Sequence, residues 1–274
     1  MPQPDNKLRI PETLRNVKSI IGIFSAKGGV GKSAISLQLA LALKEKGLKV
    51  GLVDADIYGP SQPVMLNSSP GELKLTKNEI IEPLTKKGIK FISMGLISGD
   101  KMPVIWRGPM VSGAVMQLLS QTEWGELDYL IVDTPPGTGD VQLTLLQRIP
   151  LTSAVVVTTP QKVSISDCKK GIEMINKLDV PISGLIENMS WFQPDSMEKK
   201  YYLFGKDGGK ELAKEYSLDL LAQLPLVELH EDLDLQNHEL LKIEFDNISA
   251  KVMDSVKNLK DKRSGGIPQI NITK

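Results

Sequence analysis

The segment Ser25-Ala-Lys-Gly-Gly-Val-Gly-Lys-Ser33 constrains the fold more than any other stretch of this chain. Before it stands Ser19–Phe24, a short apolar, β-branched run of the kind that forms a fully buried strand. After it, Ser33–Lys46 runs without Pro or Gly and is closed by Gly47, as a helix is closed. Strand, glycine turn and helix in this order make a phosphate-binding corner. Successive glycines let backbone N–H groups converge on phosphate oxygens, and the helix N-terminus adds the positive end of its dipole. Lys32 is spaced to reach terminal phosphates, and the Ser33 hydroxyl to bind Mg²⁺. The general pattern G-x-x-x-x-G-K-[ST] is not met, because its first glycine falls on Ala26. The tighter K-G-G-x-G-K-[ST] is met in full, which adds a second lysine at Lys27. A dinucleotide fingerprint, G-x-G-x-x-G, is absent.

The rest of the chain repeats the alternation. Strands are expected at Lys49–Val53, Ile89–Met94, Tyr129–Val132, Ala154–Val157, Ile182–Ile186 and Leu218–Leu221. Helices are expected through Val111–Leu119, Val163–Leu178 and Gly209–Tyr216, with a last amphipathic one marked by Ile248, Val252, Val256 and Leu259. Residues 67–88 read as a surface excursion or small hairpin. The pattern predicts an α/β fold with a doubly wound, mostly parallel sheet. Residues 1–17, with Pro2, Pro4 and Pro11, read as a flexible lead-in, 18–262 as the folded domain, and 263–274 as a flexible tail. Polar text gathers where strands end: Asp54-Ala-Asp56, Asp133 with the glycine-rich Pro135–Gly139, and Glu187-Asn188. Folds of this class keep their ligand sites there.

Composition narrows the function. Thirty-three Lys and Arg balance 33 Asp and Glu, so the electrostatic footprint of a general nucleic-acid binder is missing. One cysteine, Cys168, rules out an intrachain disulfide framework or a cysteine-rich metal site within one chain. Met1–Ile10 is polar, without the apolar region of a signal peptide, and no run approaches the ~20 apolar residues of a membrane span. The expectation is a cytoplasmic protein without nucleic acid or stable membrane association.

The loop resembles the deviant Walker A motif of the MinD/ParA/nitrogenase-iron-protein class of P-loop ATPases. The chain further resembles the Mrp (ApbC-like) branch of iron–sulfur cluster carriers. The residues that carry this likeness are Val53-Asp-Ala-Asp-Ile-Tyr-Gly-Pro-Ser61, Trp106-Arg-Gly-Pro-Met110, Asp133-Thr-Pro-Pro-Gly-Thr-Gly-Asp140 and Glu187-Asn-Met-Ser190. The resemblance implies ATP as the nucleotide, held along Ala26, Lys27, Gly28, Gly29, Val30, Gly31, Lys32, Ser33 and Ala34. It implies Asn188 at the adenine and Mg²⁺ near Ser33, Asp54 and Asp133. Lys27, Lys32 and Asp56 become the catalytic set: Lys27 reaches across a homodimer to the partner's nucleotide, and Asp56 orients the attacking water. Gly137 would offer its N–H to the γ-phosphate.

The same resemblance implies a Cys-x-x-Cys pair shortly after Asn-Met-Ser, two pairs holding a 4Fe–4S cluster across the dimer. Here the two positions are Pro194 and Met197, neither of them a thiolate, so no iron–sulfur ligands are assigned. Cys168 lies on the apolar stripe of a helix and reads as a buried, inert thiol. Met102, Met110 and Met116 read as core or contact residues, and His230 and His238 as surface residues. Partners implied are client iron–sulfur apoproteins or a cysteine-bearing relative. Two rivals stand beside this reading. One is a MinD/ParA-like positioning switch, disfavoured by zero net charge and the mixed charges Asp246, Lys251, Asp254 and Lys257 on the last helix. The other is a cluster-free adaptor that contacts clients through the aromatic-rich segment 191–204.

Overall fold

The expected alternation is realised around an eight-stranded sheet. The computed structural model describes residues 11–69, 71–76, 80–98, 108–194, 199–227 and 238–264. The phosphate-loop strand, β1 (Ile20–Phe24), leads through the loop into α1 (Lys32–Glu45) and on to β2 (Val50–Asp54). A short α2 (Gln62–Met65), a small antiparallel ribbon of β3 (Lys74–Leu75) and β4 (Ile81–Glu82), and β5 (Leu84–Lys86) lead to β6 (Ile89–Ser93) and α3 (Met94–Ser98). Then come α4 (Gly108–Ser120), β7 (Tyr129–Asp133), α5 (Asp140–Arg148), β8 (Ser153–Thr158) and α6 (Lys162–Lys177). The chain closes with β9 (Ile182–Glu187), α7 (Gly208–Glu215), β10 (Leu220–Gln223) and α8 (Glu239–Ser264).

The strand order is β10-β9-β8-β1-β7-β2-β6-β5, parallel throughout except for β5, which runs antiparallel on the edge. The chain winds one way from β1 and then returns to build the other half through β8, so the order reverses beside β1. Clefts outside the carboxyl ends of strands open at such a point, and the glycine loop begins there.

Alternation along the strands divides the core. Ile21, Ile23, Val50, Leu52, Tyr129, Ile131, Val155 and Val157 pack on the face covered by α1 and α8, with Ile35, Leu39, Leu43, Ile248, Val252 and Val256. The neighbouring strand residues Ile20, Val53, Leu130 and Val132 face α4 and α5, through Val111, Val115, Leu118 and Leu145. Ala154 and Val156 meet Cys168 and Ile172 of α6 and Leu212 of α7. Residues buried on both sides explain why these strands read as unbroken apolar runs.

Several details depart from the sequence reading. Residues 11–17 are docked: Glu12–Leu14 forms a 3₁₀ turn, Leu14 is buried, and Val17 bridges to Leu127. Leu14, the Val17 bridge and the Thr13 hydroxyl, which donates to the Ser120 carbonyl at 3.0 Å, anchor a segment that proline content marks as loose. The 67–88 excursion also contributes β5 to the main sheet edge. Helix α5 was not expected, because its charged and polar positions hide the buried pair Leu145 and Leu146. The final helix starts at Glu239, nine residues before its clear apolar stripe. Met102, Trp106, Arg107, Met197, His230 and the tail from 265 lie outside the described residues.

Candidate nucleotide site

Three strand ends and one loop build the site. Asp54 and Asp133 are register partners at the ends of β2 and β7, and Ile23 of β1 pairs with Asp133 on its other side. The two carboxylates therefore lie side by side, next to the start of the glycine loop. Gly29 and Gly31 take φ values of 78° and 83°, the left-handed region in which a side chain is strained. That turn directs the chain straight into α1, whose first residue is Lys32.

Lys32 is only 6% exposed and ion-pairs with Asp133 Oδ1. Ser36, one turn further along α1, donates to the same oxygen at 3.1 Å. The Gln62 amide donates to Asp133 Oδ2 at 3.0 Å and to the Ser33 carbonyl at 2.8 Å. Both oxygens of Asp133 are thus engaged within the protein. Ser36 and Gln62 were missed by the sequence reading. Ser36 could have been found as the helix position one turn after Lys32, whereas nothing in the spacing marks Gln62.

Asp54 is fully buried and accepts from the Asp56 N–H at 3.1 Å, the Gln62 N–H at 3.2 Å and the Ser93 hydroxyl at 3.0 Å. Burial and then the neighbouring Asp133 charge push its carboxyl up to about 8, against the pull of its hydrogen bonds and Lys32. Asp56 is raised as well, mainly by burial, with Lys32 acting the other way. Its carboxylate takes the N–H groups of Tyr58 and Gly59, both at 3.2 Å.

A cavity of about 330 Å³ opens beside this corner, with Lys27, Gly29, Lys32, Ser33, Asp56 and Pro136 on its walls. Asp56 therefore faces the cavity. Asp54 is not among the lining residues and braces the wall from behind. Lys27 is exposed on the loop. Gly137, at φ 117°, donates its N–H to the Ser25 carbonyl at 2.9 Å, so in this conformation its N–H is tied to the loop rather than open to a phosphate. Asn188 is half-buried at the end of β9, and its amide donates to the Val30 carbonyl at 2.9 Å. It therefore contacts the loop directly, a partner the sequence did not disclose.

The donor set fits a hard divalent cation held largely through phosphate and water. Ser33 lines the cavity, and Asp133, its oxygens already bonded, suits contact through water. Soft ligands are a different matter. Cys168 is 2% exposed in the α6 stripe, and burial pushes its thiol up to about 12. Beyond Asn188, Phe192 and Tyr201 exchange backbone hydrogen bonds, both at 2.8 Å. Lys200 covers Trp191 at 3.9 Å from its ring centre. His238, expected at the surface, is half-buried with an enclosed Nδ1.

A parallel sheet with this loop, and a buried lysine–aspartate pair at the strand ends, define a P-loop NTPase of the MinD/ParA structural class. A family model described as ParA, NUBPL iron-transfer P-loop NTPase, matches residues 16–260, and the chain belongs to that family. An iron–sulfur cluster carrier protein of Pseudomonas fragi is 47% identical over 81% of this chain and 78% of its own length. The protein of the same description from Escherichia coli K12 is 48% identical over 81% of this chain. There the match spans only 60% of the relative's length. Among solved structures, an Archaeoglobus fulgidus nucleotide-binding protein in complex with ADP superimposes with a TM-score of 0.70. It is 32% identical, covering 87% of this chain and 90% of that one. Pyrococcus furiosus MinD matches in fold, with a TM-score of 0.62 at 17% identity over 87% of this chain and 99% of its own.

Proposed function

We propose that this chain is a Mg²⁺-dependent ATPase that works as a homodimer in the carriage of iron–sulfur clusters or the assembly of iron–sulfur proteins. The observation that carries the reading is the cavity that brings Lys27, Lys32, Ser33 and Asp56 together around left-handed glycines. The relatives' description as cluster carriers, and the ADP bound to the Archaeoglobus neighbour, support the biological context.

The chemistry follows from charge and position. A γ-phosphoryl group needs neutralisation of its spreading negative charge and an in-line water, with little covalent help. Lys32 leaves its Asp133 partner for the phosphates, so the buried pair holds the lysine in place without a large rearrangement. Asp56, raised by burial and facing the cavity, orients the attacking water and accepts its proton. Mg²⁺ held near Ser33 and Asp133 would supply further charge neutralisation at the phosphates. Lys27 projects from the exposed side of the loop, where it suits a partner subunit's nucleotide rather than its own. Asn188 would also lie within reach of the bound nucleotide.

Cluster carriage by this chain alone meets a chemical obstacle. Its 274 residues hold one cysteine, so two copies offer two buried thiols where a 4Fe–4S cluster takes four thiolates. The chain therefore acts on clusters held by thiols from outside, on a client or on a cysteine-bearing relative. A second reading, a cluster-free adaptor, is favoured by Tyr202 and Leu203, 42% and 59% exposed on the aromatic segment.

The test combines turnover with iron loading. Lys27→Ala is expected to lower ATP turnover by about 10³-fold and to abolish ATP-dependent dimerisation, as loss of a charge supplied in trans does. Retention of both would refute the trans role. Anaerobic incubation with iron and sulfide is expected to leave fewer than four irons per dimer, and a stoichiometric four-iron cluster would overturn the outside-thiol reading.

A further inference from the structure

The end of β9 is braced more heavily than a turn requires. Glu187 is wholly buried, and its carboxylate accepts from the Ser190 hydroxyl at 2.8 Å, the Gln223 amide at 2.8 Å and the Gly209 N–H. Gly209 lies in the first turn of α7, so the negative charge also sits at the positive end of that helix. A Cβ on Gly209 would come within 2.8 Å of the glutamate side chain, which leaves no room for another residue there. Between the bonded ends, Met189 takes a left-handed φ of 57°. The Asn188 N–H holds the Thr158 carbonyl and the Ser190 N–H the Leu224 carbonyl, both at 2.8 Å. The turn is thereby fixed to β8, α7 and β10 at once.

From this fixed turn the Asn188 amide reaches the phosphate loop. Its Nδ2 donates to the Val30 carbonyl at 2.9 Å, and a Cβ on Gly31 would lie 2.3 Å from the same nitrogen. The amide therefore occupies the space a side chain at Gly31 would need, and it grips the loop between its two left-handed glycines. Lys27, Gly28 and Gly29 on the outer side of the loop are exposed, so this contact is an inner support for an otherwise open turn.

We infer that Asn188 is a strut that holds the phosphate loop in its binding conformation, and that Glu187 is the positioning residue that aims it. In this role Asn188 acts on the phosphate grip whatever base the ligand carries. The strut exists independently of any ligand, and only its consequence for affinity rests on the nucleotide-site reading.

The test has one arm without nucleotide. Hydrogen exchange across residues 26–33 is measured in the nucleotide-free protein for Asn188→Ala, Glu187→Gln and the double variant. Exchange is expected to quicken by about 2- to 10-fold in each single variant, the effect of losing one hydrogen bond, and no further in the double. Unchanged loop exchange in Asn188→Ala overturns the strut, and additive effects overturn the role of Glu187. Because Asn188 is half-buried, its variant decides the matter even if the glutamate variant fails to fold. In the second arm, Mg²⁺–tripolyphosphate and ATP are titrated. Both affinities are expected to fall by the same factor in Asn188→Ala. A loss for ATP with tripolyphosphate binding retained would make Asn188 a base contact and overturn the strut. If the wild-type chain binds neither ligand, the nucleotide-site reading falls while the exchange arm still decides the strut.

Discussion

The phosphate-loop corner and the aromatic segment after Asn188 are built on opposite terms. At the corner, Lys32, Asp54 and Asp133 are buried, and the two aspartates are fully bonded. In the aromatic segment, the contacts include backbone bridges of Phe192 to Tyr201 and Leu226, and lysines laid over Trp191, Tyr201 and Tyr202 at 3.9, 5.4 and 5.0 Å. Buried charges hold position only when every partner is supplied, and each partner removed leaves a large penalty. Exposed cation–ring pairs are worth much less apiece and tolerate exchange. The difference teaches that this chain encodes its own nucleotide chemistry rigidly and leaves the neighbouring surface open to change.

The sharpest way to break the comparison is to unpair the corner. Lys32→Met keeps the apolar stem and removes the charge, leaving Asp133 buried without its cation and with only the Ser36 and Gln62 hydrogen bonds. Unfolding of the nucleotide-free protein in urea is expected to become easier by about 3–5 kcal/mol, and turnover to fall by about 10²–10³-fold. Adding Asp133→Asn is expected to restore most of the stability and none of the turnover. If the single variant is as stable as the parent, the Lys32–Asp133 pair does not hold the corner together.

A smaller effect comes from Asp54, and its sign is specific. Its carboxyl is raised to about 8 by burial and by Asp133, so the folded protein holds this proton where the unfolded chain, near the ordinary 3.8, has lost it. Stability from this group is complete below the unfolded value and is lost as pH rises towards about 8. The slope from a single proton is at most about 1.4 kcal/mol per pH unit. Chemical denaturation between pH 5 and 9, without nucleotide and in the presence of a chelator, is expected to show a decline that Asp54→Asn flattens. An unchanged slope in the variant would assign the decline to other groups.

The two regions also differed in how legible they were. The corner could be read because its chemistry is bound to spacing: two lysines and three glycines between a buried strand and a helix leave few alternatives. Strands buried on both faces are equally plain, since Ile20–Phe24 and Tyr129–Val132 have no polar residue among them. What spacing cannot reveal is a partner chosen by tertiary approach. Gln62, 71 residues from Asp133, and Asn188, 158 residues from Val30, meet their partners only because the sheet order brings β2, β7 and β9 to one end. Gly137 shows the same limit from the other side. Its motif suggests a phosphate contact, while the fold ties its N–H to Ser25.

The smallest expected effect tests the open half of the comparison. Leu203 is 59% exposed, so the folded chain derives little from its side chain, and Leu203→Ala is expected to change stability by no more than about 0.5 kcal/mol. ATP turnover should be unchanged, because Leu203 is not among the residues lining the nucleotide cavity. Melting temperature and turnover check both statements in one preparation. A large loss of stability would mean that the segment is structural and that its aromatic residues serve the fold. A neutral outcome leaves an apolar side chain on the surface without a stabilising role, beside a turn anchored through Asn188 to the phosphate loop. Between the two regions along the chain stands Glu187, whose carboxylate binds the end of β9 to α7 and β10.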